Sequence, residues 1–227
     1  MTDSFEPATP PSVLPIFPLT GALLLPGGRL PLYIFEPRYC AMVEDVMAGP
    51  RCIGMVQPLQ PNRADNRGAI PAADGDSTPE VYPVGCVGQI ERCETMPYGR
   101  FVLLLRGLGR FRVVRELDEV RGYRRVEATY DDFLGDRAEV DAEVDAAPLL
   151  AALERFGREH QVTVELEQLE TVSGLALLTS IAAALPFAPA EQQALLEAPD
   201  LAARHELLLA LLAMGLQLDR DDADAPN

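Results

Sequence analysis

LPLYIFEPRY, residues 30–39, contains the change from a strand-like to a helix-like sequence pattern that decides the fold. Its first half is a short apolar run with a proline in it, which is typical of a β-strand, here ending at Glu36. Pro37 suits the first turn of a helix, because the N–H that proline lacks has no intrahelical partner there. Apolar residues then recur at helical spacing until Gly49 and Pro50. The stretch therefore predicts a strand that turns directly into one short helix.

Short apolar runs interrupted by proline and glycine surround this junction. Such runs are typical of β-strands joined by tight turns. They occupy residues 13–35, 52–59, 82–96, 100–117 and 123–133. PYGR at 97–100 separates two of them and predicts a hairpin. A segment rich in Pro, Gly, Asp and Asn, residues 60–80, predicts a long loop.

The pattern becomes helical after about residue 136. Residues 166–187 are apolar on more than one face, and residues 188–218 predict two helices split at Pro199. We therefore predict an α+β fold, a mostly antiparallel β domain followed by a helical bundle. The predicted boundaries are a disordered lead at 1–12, the β domain at 13–135, the bundle at 136–218 and an acidic tail at 219–227.

The net charge of −16 is unevenly distributed along the chain. Residues 1–115 hold 11 acidic residues and 11 arginines, whereas residues 116–227 hold 24 acidic residues and 8 arginines. The acidic half would repel a polyanion, so nucleic acid is disfavoured as a partner. The sequence contains no long uncharged apolar stretch, so we expect no membrane span. Its first residues lack the features of a secretory signal.

Every basic residue of the chain is arginine. A Walker A loop needs a lysine on the phosphates, and Schiff-base chemistry and a Ser-Lys dyad need one as well. The absence of lysine excludes all three from this chain.

The cysteines do not form a metal-binding pattern. There are four, never spaced C-x-x-C, and the two histidines lie far away in sequence. We interpret them as small buried side chains in a reducing cytoplasm, and we expect neither a metal nor a cofactor.

Glu36 and Arg38 are the most conspicuous charged pair in the sequence. They raise the possibility of an acid–base pair, but no histidine or cysteine nearby completes a set. We favour a structural interpretation, with Glu36 near a helix N-terminus and Arg38 paired with a carboxylate. Cys40 follows on the same helix, but neither histidine lies in the β region to serve as its base, so we interpret it as a core cysteine.

Nine arginines lie between residues 92 and 125, interleaved with aromatic residues. This composition is compatible with a nucleic-acid surface. Because acidic residues lie among them, we favour an ordinary polar face of the sheet.

Several motifs follow one another in a fixed order along the chain. They are LPIFPL (14–19), LLLPGGRLPLYIFEPRY (23–39), YPVGCVGQIE (82–91), GRFVLLLRGLGRFRV (99–113) and EQQALLEAPDLAARHELLLALL (191–212). Together they closely resemble the N-terminal domain of the ATP-dependent Lon protease, and most closely the stand-alone bacterial proteins made only of this domain. The resemblance spans about residues 13–215. Where the family hairpin usually turns at Asp-Gly, this chain has Tyr98-Gly99, which still permits the turn.

The resemblance implies a PUA-like β-barrel around one short helix, followed by a helical bundle. It implies a substrate-recognition module without the ATPase and the Ser-Lys peptidase, and it supplies no catalytic residue. We expect the ligand to be unfolded or extended polypeptide; the oligomeric state stays open. The candidate contacts are Leu24, Leu25, Pro26, Tyr33 and Phe35. Structural roles are predicted for Glu36, Pro37, Arg38, Gly85, Gly107, Arg110 and Phe111.

Two other functions remain in competition. One is binding of RNA or a nucleotide, as in other PUA-like barrels, supported by the arginine-rich segment. The other is a small-molecule hydrolase, which would require a pocket containing Glu36, Arg38 and a perturbed carboxylate.

Overall fold

Apart from one helix that follows the second strand, the strands precede the helices along the chain, as predicted. A computed structural model describes residues 9–59, 80–139, 142–159, 169 and 171–223, so residues 60–79 of the predicted loop lie outside it. Its strands are β1 (Val13–Pro18), β2 (Arg29–Ile34), β3 (Cys52–Val56), β4 (Val84–Met96), β5 (Arg100–Val120) and β6 (Tyr123–Thr129). Its helices are α1 (Pro37–Met47), α2 (Asp136–Glu139), α3 (Ala147–Glu159), α4 (Gly174–Ala184), α5 (Pro189–Glu197) and α6 (Leu201–Ala223).

The junction between β2 and α1 has the geometry that the sequence predicts. Glu36 is the N-cap with an extended backbone (φ −71°, ψ 133°), and Pro37 is the first helical residue. One side of α1 is buried against the sheet, including Tyr39, Met42 and Val43. The proline therefore marks the change from strand to helix.

The six strands form one mixed sheet, and one of its pairings departs from the antiparallel pairing that the sequence predicts. Their order is β2-β5-β4-β3-β1-β6, and β5 also pairs with β6. β5 is 21 residues long, and its first half pairs with β2 and β4 while its second half pairs with β6. β1 and β3 are parallel, because the chain passes through β2 and α1 between them. β2 remains at the edge of the sheet.

The hairpin between β4 and β5 turns where PYGR predicts. Tyr98 and Gly99 both have positive φ, 65° and 69°. Glycine adopts this conformation freely, whereas a tyrosine there is strained. The side chain of Tyr98 is 95% exposed at the tip of the hairpin.

The C-terminal helices pack on each other and on the sheet. α3, α4 and α5 contact α6, while α4 also contacts β2 and α5 contacts β4. A single hydrophobic cluster runs from the sheet into these helices. α4 begins later than the sequence pattern predicted, because the Ser173 hydroxyl caps it by accepting a hydrogen bond from the Ala176 N–H. The predicted domain boundaries stay a prediction.

The helix breaks at Pro199 as predicted. Asp200 begins α6, where its side chain accepts a hydrogen bond of 2.8 Å from the Ala203 N–H. α6 continues to Ala223, inside the segment predicted as an acidic tail, and residues 224–227 lie outside the described part.

Arg110 joins the sheet to the helices through a buried ion pair. Its guanidinium lies 2.6 Å from Asp136, at the start of α2, and both side chains are only 3% exposed. Asp136 also accepts a hydrogen bond from the Arg110 backbone N–H. Further guanidinium hydrogen bonds go to carbonyl groups at the end of α5 and in the segment that follows it, those of Leu196, Ala198 and Pro199. One buried cation therefore fixes α2 and this segment on β5.

Gly85, Gly107 and Phe111 lie where the core is most tightly packed. A Cβ at position 85 would lie 2.7 Å from the Phe111 ring, and a Cβ at position 107 would overlap the carbonyl oxygen of Leu25. Phe111 is fully buried. Their structural roles stay a prediction.

Candidate functional site: an exposed apolar face of the sheet

Leu24, Leu25 and Pro26 do not form part of an exposed surface. All three are buried. Two backbone hydrogen bonds hold the following residues on β5, from the Gly27 N–H to the Gly107 carbonyl and from the Gly107 N–H to the Gly28 carbonyl. This segment is therefore packed in the core. The prediction that Leu24, Leu25 and Pro26 contact a ligand at the surface is wrong, because their side chains are buried.

Tyr33 and Phe35 are exposed, at 50% and 46%. They alternate along the chain with Leu32 and Ile34, which are buried, because successive side chains of a strand point to opposite faces. The two rings lie 6.0 Å apart between centroids. These aromatic residues therefore form one contiguous patch.

The register of β2, β5 and β4 places further side chains on the same face as this patch. Tyr33 is paired with Val102, and Val102 with Glu94. We call this side of the three strands the outer face. It consists of Pro31 and Tyr33 from β2, Phe35 directly after β2, Arg100, Val102 and Leu104 from β5, and Arg92, Glu94 and Met96 from β4.

Exposed apolar side chains are concentrated on the outer face and at its tip. Ten large apolar side chains are exposed among the described residues, and five of them are here. They are Tyr33, Phe35, Met96, Tyr98 and Val102. Singly scattered apolar residues are normal on a protein surface, whereas a cluster of exposed apolar residues is a candidate contact surface.

Ion pairs and hydrogen bonds order the charged residues of this region. The Arg100 guanidinium donates a hydrogen bond of 3.0 Å to the Tyr33 hydroxyl. At the other end of β2, Arg29 forms two hydrogen bonds with Glu91, which hold the pKa of that carboxyl below its ordinary value. The outer face thus combines an ordered arginine with aromatic neighbours.

Glu36 and Arg38 pair with each other beside the outer face. The Arg38 guanidinium donates to the Glu36 carboxylate at 2.8 Å and lies 4.7 Å from the centroid of the Tyr39 ring. The arginine is thereby held against the start of α1. The structural role of this pair stays a prediction.

The hydrolase hypothesis requires a pocket that contains both Glu36 and Arg38. A groove of about 350 Å³ lies elsewhere, and neither Glu36 nor Arg38 lines it. Its walls are Leu59, Glu80, Val81, Pro83, Val113, Glu116 and Arg124. Among the residues the structure describes, no three His, Cys, Asp or Glu side chains are grouped to hold a metal ion.

The cysteine thiols are poorly suited to nucleophilic chemistry. All four are free. Burial raises the pKa of the Cys52 thiol to about 11 and that of Cys86 to about 12, and it also raises the pKa of Cys40 and Cys93. A thiol is neutral below its pKa, and the thiolate is the nucleophile, so Cys52 and Cys86 stay unreactive near neutral pH.

We expect thiol reagents to distinguish the buried from the partly buried cysteines. At pH 8 the folded protein should react rapidly at no more than two thiols, Cys40 and Cys93, because Cys52 and Cys86 are buried and protonated. All four should react after unfolding. A Cys40→Ser/Cys93→Ser variant should show no rapid reaction while folded; rapid labelling of that variant would contradict the burial of the other two thiols.

Most of the arginines between residues 92 and 125 are engaged in ion pairs. Five of the nine pair with carboxylates, either in the core or on the surface. They are Arg110, Arg112, Arg115, Arg121 and Arg124. Arg110 is buried, so this segment is not simply a polar face of the sheet. Because five arginines are paired with carboxylates, less positive charge is available to bind the phosphates of a nucleic acid.

Comparison with known families identifies the chain. Residues 13–214 match the substrate-binding domain of ATP-dependent protease La (LON). The chain belongs to the Lon substrate-binding domain family. No described helix of this Lon-family chain is both long and apolar enough to cross a membrane.

Its relatives include much longer proteases. Lon protease 2 of Myxococcus xanthus is 31% identical over 89% of this chain and 24% of its own length. Lon protease of Anaeromyxobacter dehalogenans is 30% identical over 89% of this chain and 23% of its own length. The chain thus spans about a quarter of the curated Lon proteases that it matches.

Solved structures of Lon N-terminal domains share its fold. The Lon N-terminal domain protein from Xanthomonas campestris matches with a TM-score of 0.57 and 28% identity, over 87% of this chain and 97% of that one. The N-terminal domain of Mycobacterium avium complex Lon protease matches with a TM-score of 0.56 and 16% identity, over 88% and 98%. The second likeness concerns the fold alone.

Proposed function

We propose that this chain binds extended or unfolded polypeptide on the outer face, without ATPase or peptidase activity of its own. The observation that carries the proposal is the clustering of five exposed apolar side chains on one face and its tip. Aromatic residues supply large contact areas and dominate binding energies at protein interfaces. The family's description as a substrate-binding domain supports the same conclusion.

The architecture in this proposal is a PUA-like barrel with a helical bundle attached to it. The β5–β6 pairing supports the barrel, because it connects the two ends of the run β5-β4-β3-β1-β6. The contacts of α3, α4 and α5 with α6 support the bundle. A reducing cytoplasmic setting also belongs to the proposal, supported by four free thiols.

Replacing both aromatic residues of the patch tests the proposal. We expect the wild-type chain to bind fluorescently labelled apolar peptides and reduced, unfolded proteins at micromolar concentrations. Tyr33→Ser/Phe35→Ser should weaken this binding at least about tenfold, because two exposed anchors are lost. Fluorescence polarisation measures the affinity, and circular dichroism checks that the variant stays folded.

A matched control removes exposed apolar side chains away from the outer face. Val114 and Leu134 are 56% and 77% exposed, and Val114→Ser/Leu134→Ser should leave the affinity unchanged within about twofold. Equal loss in both double variants would point to non-specific adhesion. Absence of binding across a diverse peptide array would refute the proposal.

A further inference from the structure

We propose that the outer face selects segments in which aromatic or aliphatic residues alternate with Asp or Glu, and that Arg100 recognises the carboxylate. This inference rests on the proposed function and specifies its ligand. It follows from where Arg100 lies, from the local charge, and from the apolar residues on both sides of it.

Arg100 is held in place at the centre of the apolar patch. It is paired with Met96 on β4, and it donates a hydrogen bond to the Tyr33 hydroxyl on β2. The guanidinium has five N–H donors in a planar fork that fits a carboxylate. Since the Tyr33 hydroxyl takes one of them, donors remain for a ligand, and the side chain is ordered before the ligand arrives.

The local charge is opposite in sign to that of the whole protein. The outer face carries Arg92, Arg100 and Glu94, and Arg106 follows on the same side of β5, so the local net charge is +2 on a chain with a net charge of −16. Arg29 and Glu91 next to it neutralise each other. The Debye length is about 8 Å at physiological salt, so a bound segment senses mainly these nearby charges. The face is therefore complementary to an apolar segment with negative charges.

The apolar residues extend on both sides of Arg100. Phe35 and Tyr33 lie towards β2, and Met96 lies on β4. A bound polypeptide that contacts the apolar residues on both sides of Arg100 must extend in both directions from the residue whose carboxylate pairs with the guanidinium. The carboxylate that Arg100 meets is therefore that of an internal Asp or Glu side chain and not a chain terminus.

Three peptides that differ only in charge test the inference. They share one set of phenylalanine and leucine positions, are acetylated and amidated, and carry Glu, Gln or Lys at the alternate positions. At about 0.15 M salt we expect the Glu peptide to bind about fivefold more tightly than the Gln peptide, in the range of an exposed ion pair, and the Lys peptide to bind most weakly. Arg100→Gln should abolish the difference between the Glu and Gln peptides.

Arg115 offers a matched control on the same strand. It is exposed, lies away from the outer face and pairs with Glu127, so Arg115→Gln should keep the preference for the Glu peptide. Loss of the preference in both variants would attribute it to overall charge and would overturn the role of Arg100.

Other outcomes separate this inference from the proposed function. Equal affinities for the Glu and Gln peptides overturn the inference and leave polypeptide binding intact, whereas absence of binding by any peptide overturns both. A gain in affinity when the Gln peptide is given a free C-terminus would assign Arg100 to chain ends. Displacement of the Glu peptide by single-stranded RNA at the same salt would assign the face to phosphates, and self-association that masks the face would assign it to a second copy.

Discussion

Asp136→Ala is expected to lower the free energy of unfolding by about 3–5 kcal/mol, because it leaves the buried guanidinium of Arg110 without its carboxylate. Both side chains are 3% exposed, and Asp136 accepts hydrogen bonds from the guanidinium and from the backbone N–H of Arg110. The loss is measured by urea denaturation followed by circular dichroism.

An exposed ion pair nearby provides the control for this substitution. Asp132 pairs with Arg112 at 2.6 Å, but both side chains are largely exposed, so Asp132→Ala should cost less than about 1 kcal/mol. Arg110→Met/Asp136→Leu should recover part of the stability lost in Asp136→Ala, since an apolar pair leaves no buried charge. Equal effects of Asp136→Ala and Asp132→Ala would contradict the buried geometry.

Gly107→Ala is expected to destabilise the fold by about 3 kcal/mol, at the upper end of what overpacking costs. The new Cβ would overlap the carbonyl oxygen of Leu25, which is backbone and cannot move aside as a side chain does. The Gly107 N–H and carbonyl both pair with the segment after Leu25, so a displacement would strain those hydrogen bonds too. Thermal and urea denaturation measure the effect.

Gly109→Ala is the matched control, two residues further along β5. Its Cβ would meet the Asp136 side chain at 3.5 Å, an ordinary contact, so the change should stay within about 1 kcal/mol of the wild type. A Gly107→Ala variant as stable as Gly109→Ala would show that the segment containing Leu25 can move away from β5.

Local signals predicted much of the fold. Pro37 placed the start of α1, and Pro199 and Asp200 placed the break before α6. Each of these residues acts on the backbone next to it, through a missing N–H or a capping side chain. Its effect can therefore be predicted from a few neighbouring residues. The turn at Tyr98-Gly99 was predictable for the same reason.

The pairing of the strands could not be predicted in this way. The parallel alignment of β1 with β3 and the return of β5 to β6 depend on which segments meet in three dimensions. Periodicity within a strand is the same whichever neighbour it has. The sequence pattern therefore predicts mostly antiparallel pairing but does not indicate which two strands form the parallel pair.

The candidate surface was predictable only in part. The alternation in β2 implies that Tyr33 and Phe35 share a face, but it does not say whether that face or the face of Leu32 meets the core. Leu24 and Leu25 lie in a segment without regular structure, where no period distinguishes buried from exposed residues. The outer face needed the register of β2, β5 and β4, which joins residues far apart in sequence.

Arg110 shows a similar limit for charged residues. It lies in an arginine-rich run, and nothing in its neighbours distinguishes it from Arg112, whose side chain is exposed. Its burial follows from Asp136 and the carbonyl groups before α6, which arrive from distant parts of the chain.

The position of β1 between β3 and β6 has a consequence for synthesis on the ribosome. Ile16 pairs with Gly54 on β3 and Val13 pairs with Glu127 on β6. One side of β1 therefore stays unpaired until β6 has been synthesised. A nascent chain that has reached β3 therefore presents β1 as an open edge, which other strands can join. Contacts this distant in sequence also slow folding. During its synthesis this chain thus passes through a stage in which its first strand needs protection from other strands.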